Sequence, residues 1–278
     1  MVWRWLSIEA LSTLLLLPPG SALAAETTSA DTVSAGDARG RELLQQKLAR
    51  LSGAERGQVM RVVEGALARV FPGDLFYVLR FRQYPVAVAP PGPLTSNNLF
   101  IVRRDGSVAH LPDVGALEVF FRAALRPITT DAQAQDAARA WLRLAEEFRQ
   151  DGFLQFAIPD DSLKVAALAN GGREVTGKAV VTPQGGNQGE IGATLTFDGR
   201  GSLLTVSESA NIKRGIRPIC QATKLLDPDP VVRRMAEEAI LVMGKSAKEY
   251  LDEQRARARP ELREAIDQIW RRILSEDR

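Results

Sequence analysis

Between residues 191 and 197, apolar Ile191, Ala193, Leu195 and Phe197 alternate strictly with Gly192, Thr194 and Thr196. A two-residue period sends successive side chains to opposite faces of a strand, so this segment is a half-buried strand with one dry and one wet face. Asp198-Gly199-Arg200-Gly201 follows as a hairpin turn, and Leu203 to Val206 returns as the partner strand. An antiparallel sheet is therefore required, and its apolar face needs a cover.

The same local rules read the preceding chain. Leu43, Leu44, Leu48 and Leu51 recur at helical spacing, and Val59, Val62, Val63, Ala66, Leu67 and Val70 continue it after Ser52-Gly53, predicting two helices that end before Pro72-Gly73. Phe76, Val78 and Phe81 open an extended segment predicted to run to Val88. Leu99 to Val102 and Val108 to Leu111 flank Asp105-Gly106 as a second hairpin. Asp113 caps a helix bearing Leu117, Phe120, Phe121 and Leu125, and Pro127 ends it. Thr130 or Asp131 caps a longer helix, with Ala134, Ala137, Ala138, Trp141, Leu142, Leu144, Ala145 and Phe148, which Gly152 stops. Phe153 to Ile158 and Val175 to Thr182 are strands. The order is helix, strands, helix, strands, with an Asp-Gly hairpin closing each half. That order fits a duplicated helix-plus-meander unit, with halves 40–112 and 113–212, and equally the chance recurrence of a common turn. The expected fold class is α+β: antiparallel sheets with helices packed on them, followed by a helical C-terminal segment. The stretch from Thr130 to Ser207 resembles, in topology alone, the cystatin-like helix laid across a curved meander.

Beyond Gly215 the period becomes helical to the end. Pro230-Val231-Val232-Arg233-Arg234-Met235-Ala236 recurs at an offset of 30 as Pro260-Glu261-Leu262-Arg263-Glu264-Ala265-Ile266. Each copy places Pro at the first helical position, where its missing N–H costs nothing. Val232, Met235, Ala236, Ala239, Ile240 and Met243 form one apolar stripe; Leu262, Ile266, Ile269, Trp270 and Ile273 form the other. A shorter helix, Ala247 to Arg255, lies between them. The run Leu225-Leu226-Asp227-Pro228-Asp229-Pro230-Val231-Val232-Arg233-Arg234, with Ala236, Ile240 and Gly244, resembles the first helix of a HEAT-type repeat over residues 225–275. The resemblance implies an α-hairpin of the kind used as a protein-binding surface. A solenoid needs at least about three repeats, and this segment holds fewer than two. The helices are therefore expected to cap the α+β domain and share its dry interior.

Residues 1–24 read as an export signal: Arg4, a mostly apolar run from Leu6 to Leu17, a break at Pro18-Pro19-Gly20, and the small-x-small form Ala22-Leu23-Ala24. Residues 25–39 are small and polar and are expected to be a flexible tail, ahead of an α+β domain at 40–212 and the helical segment at 213–278. The expected location is extracytoplasmic, periplasmic or secreted. One Cys, Cys220, cannot close an intramolecular disulfide, so stability must come from burial, and Cys220 reads as a small buried hydrophobe. A formal charge of +2, from 36 basic and 34 acidic residues, gives no electrostatic case for nucleic acid. No membrane span is expected once the signal is cleaved.

Few residues invite chemistry. His110 is the sole imidazole, which excludes two-His metal motifs, and no Gly-x-Ser-x-Gly is present; it reads as an edge histidine. Gly185-Gly186-Asn187-Gln188-Gly189 lacks the Lys and Ser/Thr of a phosphate loop and joins two strands, so it reads as a hairpin loop. Asp160-Asp161 reads as a solvated turn, and Asp227 and Asp229 as helix caps. Arg255, Arg257 and Arg259 sit among acids without stacking aromatics and read as a charge-balanced surface. Trp141 and Phe148, and Phe120-Phe121, read as core. No catalytic, cofactor-binding or metal-binding residue is assigned, and no cofactor. The expected function is a non-enzymatic exported protein that engages another extracytoplasmic protein through its C-terminal helices. The alternative is a small-ligand carrier or uncommon enzyme using a cleft of the curved sheet; a third is inhibition by sheet-edge pairing.

Overall fold

The computed structural model describes residues 23–84, 87–184, 186–213, 215 and 222–276, with side chains from residue 36 onward. Residues 1–22 of the expected signal at 1–24, Gly185 of the glycine loop, and Cys220 lie outside the described residues, and Leu23 and Ala24 open helix α1.

The architecture is α+β, with two antiparallel sheets and a helical C-terminal region. Sheet 1 is the meander β1 (Gln58–Val62), β2 (Leu75–Arg80), β3 (Asn97–Val102) and β4 (Val108–Leu111). Sheet 2 has the order β5 (Leu154–Ala157), β7 (Arg173–Pro183), β8 (Gly189–Phe197), β9 (Leu203–Asn211), with β6 (Lys164–Ala167) also paired to β7. Helix α1 is Leu23–Leu48, α2 Gly65–Val70, α3 Val114–Ala124 and α4 Asp131–Ala145.

Both faces of sheet 1 are dry. One carries Tyr77, Leu79, Phe100 and Val102 and is covered by Leu44 and Leu48 of α1. The other carries Val62, Phe76, Val78, Leu99 and Ile101 and packs with α2, α3, α4 and the inner face of sheet 2 in one core. That shared core joins the two sequence halves into one body. Helix α4 is central to it. Its small Ala134, Ala137, Ala138, Ala140 and Ala145 are all buried, as befits a helix surrounded on most sides. Gly177 of β7 permits the close approach, since a Cβ there would come within 2.6 Å of Leu163 and 3.1 Å of Leu142. Thr130 and Gln133 form a capping box at its start. Sheet 2 alternates as expected: Ile191, Ala193, Leu195 and Phe197 point inward, and the intervening side chains face out.

Several expectations need correction. The extended segment predicted to reach Val88 is strand only to Arg80. The segment 25–39 is not a loose tail but part of α1, which runs from Leu23. Asp37 anchors the helix on sheet 1: its carboxylate accepts from Arg61 at 2.6 Å and from the Tyr77 hydroxyl at 2.9 Å. The predicted second helix at 59–70 is instead strand β1 followed by the short α2. Val59, Val62 and Val63 satisfy helical spacing by coincidence, and pairing with β2 puts Val59 and Val62 in the strand that β-branched side chains prefer, with Val63 just beyond its end. The long helix predicted to reach Gly152 stops at Ala145 and tightens into a 3-10 turn, Glu146–Arg149.

The C-terminal helices α5 (Pro230–Met243), α6 (Lys248–Arg257) and α7 (Pro260–Ser275) follow a 3-10 turn at Ala222–Leu226. Their stripes close mainly on one another rather than on the sheets. Ala236, Ile240, Met243, Tyr250, Leu251, Leu262, Ile266, Ile269 and Ile273 form a core of their own, to which the body contributes Phe153 and Tyr84. The seam is otherwise polar: Arg82 pairs with Glu253 at 2.9 Å, and the Gln184 amide donates to the Val242 carbonyl.

Candidate functional site

Where α4 ends, its last turns and the following 3-10 turn bring charges against the open end of sheet 1. Arg139 and Arg143 stand four apart on α4, and Glu146 and Glu147 follow in the turn. Glu146 is 5% exposed and Glu147 3%. Two buried carboxylates need partners. Glu147 accepts from Arg143 at 2.6 Å and from Arg80 of β2, and Glu146 accepts from Arg143 at 3.3 Å. Arg139 pairs with Asp160 and donates to the Ile158 carbonyl at 3.1 Å. With Glu64, Phe156 and Ile158 these groups line a cavity of about 420 Å³.

Burial pushes the Glu146 carboxyl up to about 7 from its ordinary 4.5; Arg143 opposes this, while the Glu147 and Glu64 charges add to it. A carboxyl so placed takes up and releases a proton near neutral pH, beside a carboxylate held by two guanidinium groups.

A second cavity, about 200 Å³, lies on the other side of Arg80 and Gln150, which line both. Gln58, Arg80 and Asn97 bound it from sheet 1, and Met243 and Glu249 from the C-terminal helices. A third hollow, about 550 Å³, lies wholly within the helical region. Its floor is Leu225, Leu226, Ala265 and Ile269, and its rim carries Arg233, Glu237, Glu261, Glu264 and Arg272. On the outer side of α5, Val231 and Met235 are 57% and 64% exposed.

The residues singled out from sequence fall elsewhere. His110 on β4 stacks on Phe100, ring centroids 4.7 Å apart, and burial, with the Lys47 charge, holds its pKa below 6.5. Asp160 serves Arg139, and Asp161 stays in the exposed turn. Asp229 caps α5 by accepting from the Val231 N–H at 2.8 Å, and Asp227 accepts from Lys224 at 3.0 Å. Arg255 is held bidentately by Asp267, at 2.7 and 3.1 Å. Trp141 is fully buried: its indole N–H donates to Glu208 at 3.1 Å, and its ring meets Phe121 edge-on. Phe120 and Phe121 join Phe71 in an aromatic cluster. Gly186–Gln188 connect β7 to β8.

The buried Glu146–Glu147 pair was not singled out from sequence. Its only local trace is the i, i+3 and i, i+4 spacing from Arg143, which also describes any solvated helix. Arg80, which completes the network, is 67 positions away. Among the described residues no group of three His, Cys, Asp or Glu is placed to hold a metal ion, and no helix is long and apolar enough to cross a membrane. Compared with known protein families, characterised proteins and solved structures, the chain matches none.

Proposed function

We propose that the protein is a non-enzymatic, extracytoplasmic binding protein that engages another protein through its C-terminal helices. The observation that supports this reading is the hollow between the 3-10 turn at Ala222–Leu226, α5 and α7. It combines an apolar floor with a charged rim, the composition of a recognition surface. Leu226 on that floor is 41% exposed. The HEAT-type resemblance of residues 225–275 adds to the reading, because the pairing of such helices leaves one face for a partner. The α5–α6–α7 region closes its own core, so it can present this face without drawing on the sheets.

The test is affinity capture by the mature chain from its own extracytoplasmic extract, run beside a Leu226→Asp, Ala265→Asp variant of unchanged helicity. A partner retained by the first and lost by the second supports the assignment. Equal capture by both removes the helices from the interface.

A further inference from the structure

Glu261, Glu264, Gln268 and Arg272 of α7 border the hollow between the 3-10 turn at Ala222–Leu226, α5 and α7. Their spacings of three and four put them on one helix face. At about 1.5 Å of rise per residue that face runs about 16 Å, the length of about three helical turns or five extended residues. A short linear segment fills such a length. The apolar floor is within its reach: Leu226 is 41% exposed and Ala265 is partly buried, although Leu225 and Ile269 are buried.

The charged groups of the rim divide into those that are engaged and those that are not. Arg233 Nη1 donates to the Asp227 carbonyl at 2.6 Å and to the Pro228 carbonyl at 3.0 Å. Arg272 pairs with Glu276 at 2.7 Å. The rim carboxylates Glu237, Glu261 and Glu264 are exposed, and among the described residues they make no ion pair within 4.0 Å. Arg233 stands four residues before Glu237 on α5, the spacing at which helix ion pairs form, yet its hydrogen bonds go to backbone. Arg272 feels the Glu237 charge, but its own bond goes to Glu276.

Helix electrostatics account for one of the three acids. Glu261 is in the first turn of α7, where a negative charge gains from the helix N-terminus. Glu264 lies past that turn and Glu237 in the middle of α5, where the effect has faded. An anionic partner would be repelled by these carboxylates. A neutral apolar partner would cover them without a counter-charge, which costs free energy. A cationic partner supplies the counter-charges that the fold does not. We propose that the hollow takes a short basic and apolar segment of the partner protein, an apolar side chain resting on Leu226 and Ala265, with Lys or Arg on one side pairing with Glu237 and on the other with Glu261 and Glu264. This rests on the reading of the C-terminal helices as the protein interface, and it adds the chemistry of what they engage.

The test titrates the full mature chain with three fluorescent amphipathic peptides of about twelve residues, a length matched to the hollow. One carries Leu on its apolar face and Lys on its polar face; the second has Leu with Glu; the third has Ser with Lys. The Leu/Lys peptide is expected to bind at least about ten-fold more tightly than the Leu/Glu peptide, the combined worth of two or three exposed ion pairs. It should also bind more tightly than the Ser/Lys peptide, which has nothing for the floor. Glu261→Gln, Glu264→Gln changes exposed side chains without an ion pair, so the fold is kept. This variant should lose most of the preference for Lys over Glu, together with most of the salt dependence of binding. No binding of the Leu/Lys peptide, equal or tighter binding of either other peptide, or an undiminished preference in the Gln variant overturns the proposal. Capture of the natural partner separates this failure from that of the interface itself. A partner lost by Leu226→Asp, Ala265→Asp but fully retained by the Gln variant leaves the helices as the interface and removes only the basic character of what they bind.

Discussion

Arg80 of β2 and Glu147 of the turn after α4, 67 positions apart, form an ion pair whose carboxylate is 4% exposed and is also held by Arg143. This pair fastens the turn after the central helix to the end of β2, an interior strand of sheet 1. Removing one member of a buried pair leaves the other charged and unsatisfied, which costs about 3–5 kcal/mol. Glu147→Ala is therefore expected to lower the unfolding free energy of the α+β body, read by urea titration, by an amount in that range. A loss below about 1 kcal/mol, the worth of an exposed ion pair, would mean that water reaches this carboxylate.

Glu146 sets a pH dependence of definite sign. Its carboxyl titrates at about 7 in the fold and at its ordinary 4.5 when unfolded. Below 4.5 both states hold the proton, and the group does not bias folding. Between 4.5 and 7 the native state binds more protons, so stability falls as pH rises. Above 7 the cost of the buried charge is fully present, about 3 kcal/mol from about 1.4 kcal/mol per pKa unit. Glu146→Gln should flatten this decline and melt higher than the parent chain at pH 8. Parallel melting curves at pH 5 and pH 8 supply the check, and an unchanged pH slope in the variant would show that Glu146 is solvated.

These charges also mark where sequence reading stops. The alternation at Ile191–Phe197 and the capped, apolar α4 are legible because local period and tertiary burial agree there. Strand β1 is not: Val59, Val62 and Val63 fit a helical stripe, and only the pairing of Gln58–Val62 with Phe76–Arg80 tells otherwise. Strand β6 escapes notice because three of its four residues are exposed, which leaves no period to read. Helix α1 is held on sheet 1 where Asp37 meets Arg61 and Tyr77, contacts that no local pattern predicts. The candidate site is illegible for the same reason. Arg80, Asn97 and Glu147 belong to different elements, and only folding brings them together.

His110 should titrate in the opposite sense to Glu146. Burial, with the Lys47 charge, lowers its pKa from 6.5, and its ring lies flat on Phe100. The unfolded chain takes up the proton first as pH falls through 6.5, so this residue's contribution is present above that value and lost below it. The chain has a single His, so the imidazole proton signals titrate without overlap. A midpoint below 6.5 is expected, and a midpoint at or above it would contradict the buried stack. His110→Phe should keep the stacking and remove this part of the acid sensitivity.

The C-terminal helices should open separately from the sheets. Ile240 and Ile273 are fully buried in a core that, among the described residues, the body enters through Phe153 and the partly buried Tyr84. Ile240→Ala should cost about 2–5 kcal/mol, the range for truncating a buried aliphatic side chain. The loss should fall on one cooperative unit, because elements that share few apolar contacts open separately. Native-state hydrogen exchange reads this directly: amides of α5 and α7 are expected to lose protection, while those of β3, β7 and β8 keep theirs. Phe153→Ala should leave both units folded while weakening the seam between them, so that limited proteolysis separates sheets from helices more readily. Equal loss of protection in the sheets of the Ile240 variant would mean that sheets and helices melt as one body, and the separate core would then have no thermodynamic meaning.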